Sequence, residues 1–189
     1  MRWLLLGSIL FLTSCAAMTK VGPGEVTIKE QMVAKLDSSW NRLEARGAQK
    51  TEIWTTDGLP LDNLMFYVGV KDGDPLVELQ NRQEKQQPRF HATMQPHEIV
   101  ELFDAVTAEN GTRFKLDKLS PMQFAGGNGF RFDFTQIRKG DEVELKGVGY
   151  GALRAGKLYL MVFRAPKIFY FGKHIERVEA VARSVQVRG

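Results

Sequence analysis

The sequence predicts an α+β domain in which helices pack on an antiparallel sheet, and three observations carry that prediction. Residues 112–163 alternate apolar and polar side chains with period two, broken by Gly-containing turns. Two segments, near 96–110 and 172–185, instead place apolar residues at helical spacing. Leu64-Met65-Phe66-Tyr67-Val68-Gly69-Val70 is apolar on both faces, as expected of a central strand covered on two sides. A length of 189 residues suits one domain, and 43% hydrophobic residues supply a core and exclude a disordered chain. One cysteine excludes a disulfide scaffold.

The N-terminus reads as an address. Met1-Arg2-Trp3 precedes an uncharged stretch over residues 4–12, then Thr13-Ser14-Cys15-Ala16. A basic residue, a short apolar run and small residues at a cut site form a secretory signal peptide. A spanning helix needs about 20 residues, so this run is too short to be a permanent transmembrane anchor. Leu12-Thr13-Ser14-Cys15 resembles the lipobox of bacterial lipoproteins. That resemblance implies cleavage between Ser14 and Cys15, acylation of Cys15 (palmitate included) and attachment to a membrane. Each buried methylene contributes ~0.8 kcal/mol, so several acyl chains hold durably. In Gram-negative lipoproteins an Asp after the Cys favours the inner membrane; Ala16 therefore implies the outer membrane, facing the periplasm. The expected organisation is a signal peptide over residues 1–14, the lipidated Cys15 and a short tether over 15–24, and one soluble domain over 25–189.

Along the domain, Val26-Thr27-Ile28 opens a strand. Residues 50–56 carry Ile53 and Trp54 and end in Asp57-Gly58, a turn signal. Lys71-Asp72-Gly73-Asp74-Pro75 closes the central strand with turn chemistry, and the polar run over residues 80–89 reads as a solvated loop. Pro96-His97-Glu98 starts a helix, with Ile99, Leu102, Phe103 and Val106 on one face and Asn110-Gly111 as its stop. Phe130, Phe132 and Phe134 then alternate with Arg131, Asp133 and Thr135 after a turn at residues 125–129. Further hairpins fall at residues 138–141 and 154–157, which makes a meander of about four strands. The last helix is expected over 172–185, with Ile175, Val178, Ala182 and Val185 on its apolar face and Glu179 four before Arg183.

Trp54-Thr55-Thr56-Asp57-Gly58, then Leu61, then Gly69-Val70-Lys71-Asp72-Gly73, precede the strand Tyr159-Leu160-Met161-Val162-Phe163, Ala165-Pro166 and the final helix. This arrangement resembles uncharacterised proteobacterial lipoproteins and, more distantly, the Mog1/PsbP-type α/β/α sandwich. The resemblance spans residues 25–187 and implies a non-catalytic binding or assembly domain; it brings no functional residue with it.

The residues themselves offer little chemistry. His91, His97 and His174 show no metal-ligand spacing, no second Cys exists, and they read as surface or cap histidines. Ser38, Ser39, Ser120 and Ser184 lie in no GxSxG context, while Asp57 and Asp141 read as turn-formers beside Gly. No catalytic residue, metal or cofactor is expected. No Lys/Arg block exceeds two residues despite a net charge of +4, which argues against nucleic acid. Gly147, Gly149 and Gly151 strip one strand face of side chains, inviting a packed helix, a bulge or a ligand. Ile168-Phe169-Tyr170-Phe171 is either a partner-binding patch or a loop folded into the core, the latter being the commoner use. Candidate contact residues are thus Gly147, Gly149, Gly151, Phe169, Tyr170 and Phe171. The leading reading is a lipid-anchored envelope protein that binds or scaffolds a protein partner. A small-ligand binder with its pocket over the glycine face is the alternative, and a hydrolytic enzyme rests only on isolated Asp and His residues.

Overall fold

The computed structural model describes residues 18–43, 51–78, 87–108 and 111–188. The signal-peptide residues, Ser14 and Cys15 lie outside these, as do residues 80–86 of the polar run. In chain order the described elements are β1 (Met18–Val21), β2 (Gly24–Ile28), β3 (Met32–Leu36), β4 (Trp40–Leu43), β5 (Thr51–Thr55), β6 (Asn63–Val70), α1 (Pro96–Thr107), β7 (Arg113–Phe124), β8 (Gly127–Ile137), β9 (Glu144–Arg154), β10 (Lys157–Pro166), α2 (Tyr170–Ser184) and β11 (Gln186–Val187). Eight strands form one sheet in the order β1-β4-β5-β6-β10-β9-β8-β7, every neighbouring pair antiparallel. A second sheet, β11-β3-β2, lies with α2 on one face of the first. Helix α1 covers the opposite face. The architecture is the expected one: helices packed on both sides of an antiparallel sheet.

The two-sided burial of the central strands follows from their alternation. In β6, Leu64, Phe66 and Val68 enter the core beneath α2, whereas Met65, Tyr67 and Val70 enter the core beneath α1. In β10, Tyr159, Met161, Phe163 and Ala165 face α2, and Leu158, Leu160 and Val162 face α1. Between Tyr67 and Val70 the pairing slips by one residue against Leu160 and Leu158. Gly69 absorbs the slip at φ +65, the left-handed conformation of a glycine bulge. Each fully buried large side chain here contributes roughly 1.5–3 kcal/mol.

Helix α1 starts where Pro96 predicts, and the Glu98 carboxylate accepts from the Gln95 N–H at 2.6 Å. Its apolar face, Ile99, Val100, Leu102, Phe103 and Val106, is buried. The β7–β8 and β9–β10 turns are tighter than the sequence suggests: Phe124 pairs with Gly127 and Arg154 with Lys157, leaving only Ala125-Gly126 and Ala155-Gly156 as two-residue loops. All four of those residues have positive φ, the twist that lets antiparallel strands meet directly.

Within the stretch read as a tether over residues 15–24, the described residues 18–21 form β1, which pairs with β4 from Met18↔Leu43 to Val21↔Trp40. Val21 buries its side chain and β2 follows within three residues, so Gly22-Pro23 joins the two strands. Strands β3, β4 and β11 are too short to produce a period-two signal of their own, and Tyr170 rather than Gly172 opens α2. At the far edge of the large sheet, β7 carries Lys115, Lys118 and Pro121, and its pairing is shifted between Leu116 and Lys118. Among the described residues no helix is long and apolar enough to cross a membrane.

Candidate docking surface

The glycine face is closed. Gly147, Gly149 and Gly151 stand directly opposite Phe134, Phe132 and Phe130. A Cβ at any of the three would fall inside the facing phenyl ring, so the rings occupy the room the glycines leave. Phe103 of α1 then rests on Phe132 and Phe134, with centroids 5.9 and 5.7 Å away. The room over these residues, read as space for a packed helix, a bulge or a ligand, is taken by the phenyl rings of the neighbouring strand, and α1 packs on those rings. Aromatic side chains leaning onto cross-strand glycines bury both partners without opening a cavity.

The aromatic run splits along its length. Tyr170 and Phe171, the first residues of α2, are both half-buried against the core, Phe171 packing on Phe163 at 5.9 Å between centroids. Ile168 and Phe169 instead project outward, 95% and 60% exposed. They form the tip of the β10–α2 connection. Exposed apolar side chains of that size at a loop apex are a feature of interaction surfaces.

The tip stands on a fixed mount. The Lys173 Nζ lies 5.9 Å from the Phe169 ring centroid and 5.8 Å from that of Tyr170. The same ammonium donates to both Asp57 oxygens, at 2.8 and 2.7 Å. His174 is buried, and its Nε2 donates to Asp57 Oδ2 at 2.7 Å, since a carboxylate can only accept. Hydrogen bonds from Lys173 first, and from His174 second, hold the Asp57 carboxyl below its ordinary range. Asp57 is in turn oriented by fully buried Asp62, whose carboxylate accepts from Thr55 Oγ1 and from the backbone N–H groups of Thr56 and Asp57, each at 2.7 Å. One turn on, Arg177 donates to Thr56 Oγ1 at 3.1 Å and Ser39 O at 2.8 Å, and stacks over Trp40 at 4.2 Å. Burial lowers the Arg177 guanidinium from its ordinary value.

Asp57, Asp62 and His174 bring their ligand atoms within 4.8 Å of one another, a spacing a metal ion would accept. Their hydrogen bonding argues for a different role. Both Asp62 oxygens are taken by donors, and the Lys173 ammonium already holds the position beside Asp57 that a cation would claim. The cluster ties the β5–β6 connection to the first turn of α2. His91 and His97 are exposed as expected, His91 lying 3.5 Å from Asp72. His174 departs from that expectation by being buried. Asp141 keeps its turn role, accepting from the Val143 N–H and from Arg138, whereas Asp57 spans to α2. Contacts across 116 and 117 residues leave no local pattern in the sequence.

Beside the tip lies a cleft of about 710 Å³ lined by Pro60, Leu61, Val143, Pro166 and Ile168, with Arg138, Glu144 and Lys167 at its rim. The rim charges are matched within the chain: Lys167 with Glu144 at 2.8 Å and Arg138 with Asp141. What the cleft offers a visitor is apolar surface. No catalytic motif or cofactor-binding geometry occurs among the described residues.

A scan of family models finds no match to this chain, and comparison with curated protein sequences finds none either. Solved structures do match. Cyanobacterial PsbP (CyanoP) from Synechocystis superposes with a TM-score of 0.60 at 12% identity, over 97% of this chain and 99% of that one. The Ran-binding protein Mog1p of Saccharomyces cerevisiae superposes with a TM-score of 0.54 at 7% identity, over 92% and 96%. At such identities the likeness is one of fold: this chain has the Mog1/PsbP-like α/β/α architecture.

Proposed function

We propose that this chain is a lipid-anchored cell-envelope protein whose α/β/α domain holds a protein partner at the Ile168–Phe169 tip and the adjoining cleft. The observation that carries the docking reading is the exposure of Ile168 and Phe169 on a mount fixed by Asp57, Lys173 and His174. An exposed apolar pair set on a rigid base loses little conformational freedom when it is covered. Yeast Mog1p, named as Ran-binding, offers a case of the same fold in a protein that binds another protein. The anchor reading rests on Leu12-Thr13-Ser14-Cys15, and the outer-membrane, periplasm-facing location on Ala16. A small-ligand binder would use the cleft beside Ile168 rather than the glycine face, over which Phe130, Phe132 and Phe134 lie.

The test is a comparison in native envelopes between the wild-type chain and an Ile168→Asp, Phe169→Ser variant. The partner retained by the wild type is expected to be lost from the variant, with the thermal midpoint unchanged. Retention of the same partner would sink the docking reading. Cys15→Ser is expected to abolish palmitate incorporation and release the chain from membranes; continued labelling would refute the lipobox assignment.

A further inference from the structure

We infer that the end of the domain opposite the Ile168–Phe169 tip lies against anionic phospholipid headgroups. This deepens the reading above, since it presumes the Cys15 anchor, and it adds which surface faces the bilayer. The first observation is the short link. Cys15 precedes Met18 by three residues, a path of at most about 11 Å. Met18 lies in the row Met18–Leu43–Ile53–Met65–Val162 across the sheet. From that row β1 advances towards Val21, the direction in which β10 reaches Pro166 and the tip. The start of β1, Met18, therefore faces the end of the sheet away from the tip. Laterally β10, which carries both Pro166 beside the tip and Lys157 at the other end, stands four strand spacings from β1, roughly 19 Å, so it is the direction of β1 along the sheet that tells the two ends apart.

The second observation is the charge at that other end. A concavity of about 640 Å³ opens between the β2–β3 turn, the β9–β10 turn and β11. Arg154, Lys157 and Arg188 line it against a single carboxylate, Glu30. Lys29 stands on the adjoining turn, and Glu25 reaches Arg188 at 3.4 Å. Arg154 spends its donors on the carbonyls of Phe124, Ala125, Asn128 and Leu153, so its charge is held in place without a neutralising carboxylate. Lys157 forms no ion pair among the described residues. Fixed cations at the end that the start of β1 faces complement an anionic leaflet, each adding attraction near the surface. With that end on the membrane, the apolar tip points into the aqueous compartment, where a partner can reach it.

The probe is the mature chain carrying Cys15→Ser, mixed with vesicles of phosphatidylcholine alone or with an equal part of phosphatidylglycerol. Salt-sensitive sedimentation with the phosphatidylglycerol vesicles only is expected. Lys157→Glu with Arg188→Glu is expected to weaken it at least about tenfold, and Ile168→Asp to leave it unchanged. Binding that ignores lipid charge, that survives the double reversal, or that is lost in Ile168→Asp overturns the proposal. So does no binding at all, or full competition by millimolar inorganic phosphate, which would make the concavity a site for free anions. Failure of the anchor reading shows separately, as absence of palmitate on Cys15 in the wild-type chain.

Discussion

The Nε2 of His174 donates to the Asp57 carboxylate at 2.7 Å, joining residues 117 positions apart and fixing the start of α2 to the β5–β6 connection. With Lys173 bonded to the same carboxylate, the contact holds the base of the exposed tip.

Asp57→Asn should therefore destabilise the domain by about 1–2 kcal/mol, because it removes the charge and one acceptor oxygen from the carboxylate that pairs the buried His174 imidazole and the part-exposed Lys173 ammonium. The acid dependence gives a second readout. The fold keeps Asp57 below its ordinary value of 3.8, so the stabilisation is present above that value and is lost as pH falls through the lower folded one. Denaturant melts in this acid range should show a shallower decline for the variant than for the wild type.

Within the aromatic run, stability should divide where burial does. Ile168→Asp should change the unfolding free energy by less than about 0.5 kcal/mol. Phe171→Ala, which removes the ring packed on Phe163, should cost about 2–4 kcal/mol. Equal costs in urea titrations would contradict the split.

Gly149→Ala places a methyl group where the Phe132 ring sits and should cost about 1–3 kcal/mol by overpacking. Adding Phe132→Leu should return part of that loss. A double-mutant cycle with no coupling between the two sites would disprove the ring-for-side-chain account.

Tyr150 carries a buried hydroxyl with no hydrogen-bond partner among the described residues, and burial pushes its ionisation up to about 12. The neutral phenol's contribution is complete below the unfolded value near 10 and disappears as pH rises towards 12. Tyr150→Phe should leave neutral-pH stability unchanged or higher and flatten the alkaline decline in thermal melts.

Ala155→Asn should stabilise the β9–β10 hairpin by about 0.5–1 kcal/mol, because Asn tolerates the positive φ that Ala holds there at +48. Chemical denaturation of the single variant checks this.

The elements legible in the sequence are those whose pattern is complete within themselves. Strands β6 and β10 are apolar on both faces because both faces are covered, and α1 carries its own start signal at Pro96. Strands β1, β3 and β4 have four or five residues each, and only their distant partners make them strands. The glycine face shows the limit of parity. Gly147, Gly149 and Gly151 do share a face, but what fills it depends on the β8–β9 register that sets Phe130, Phe132 and Phe134 opposite. For the site, the aromatic run was visible while its mount was not: Asp57-Gly58 reads as a turn until α2 brings Lys173 and His174 to it.

An eight-stranded sheet that does not close leaves a row of unpaired backbone groups on β7, the kind of edge on which chains polymerise into fibres. Here a foreign strand would meet the Lys115 and Lys118 charges, a register shift beside Asp117, and Pro121, which has no N–H to offer. Charge, a broken register and a missing donor thus stand in sequence along the one described edge long enough to template another chain.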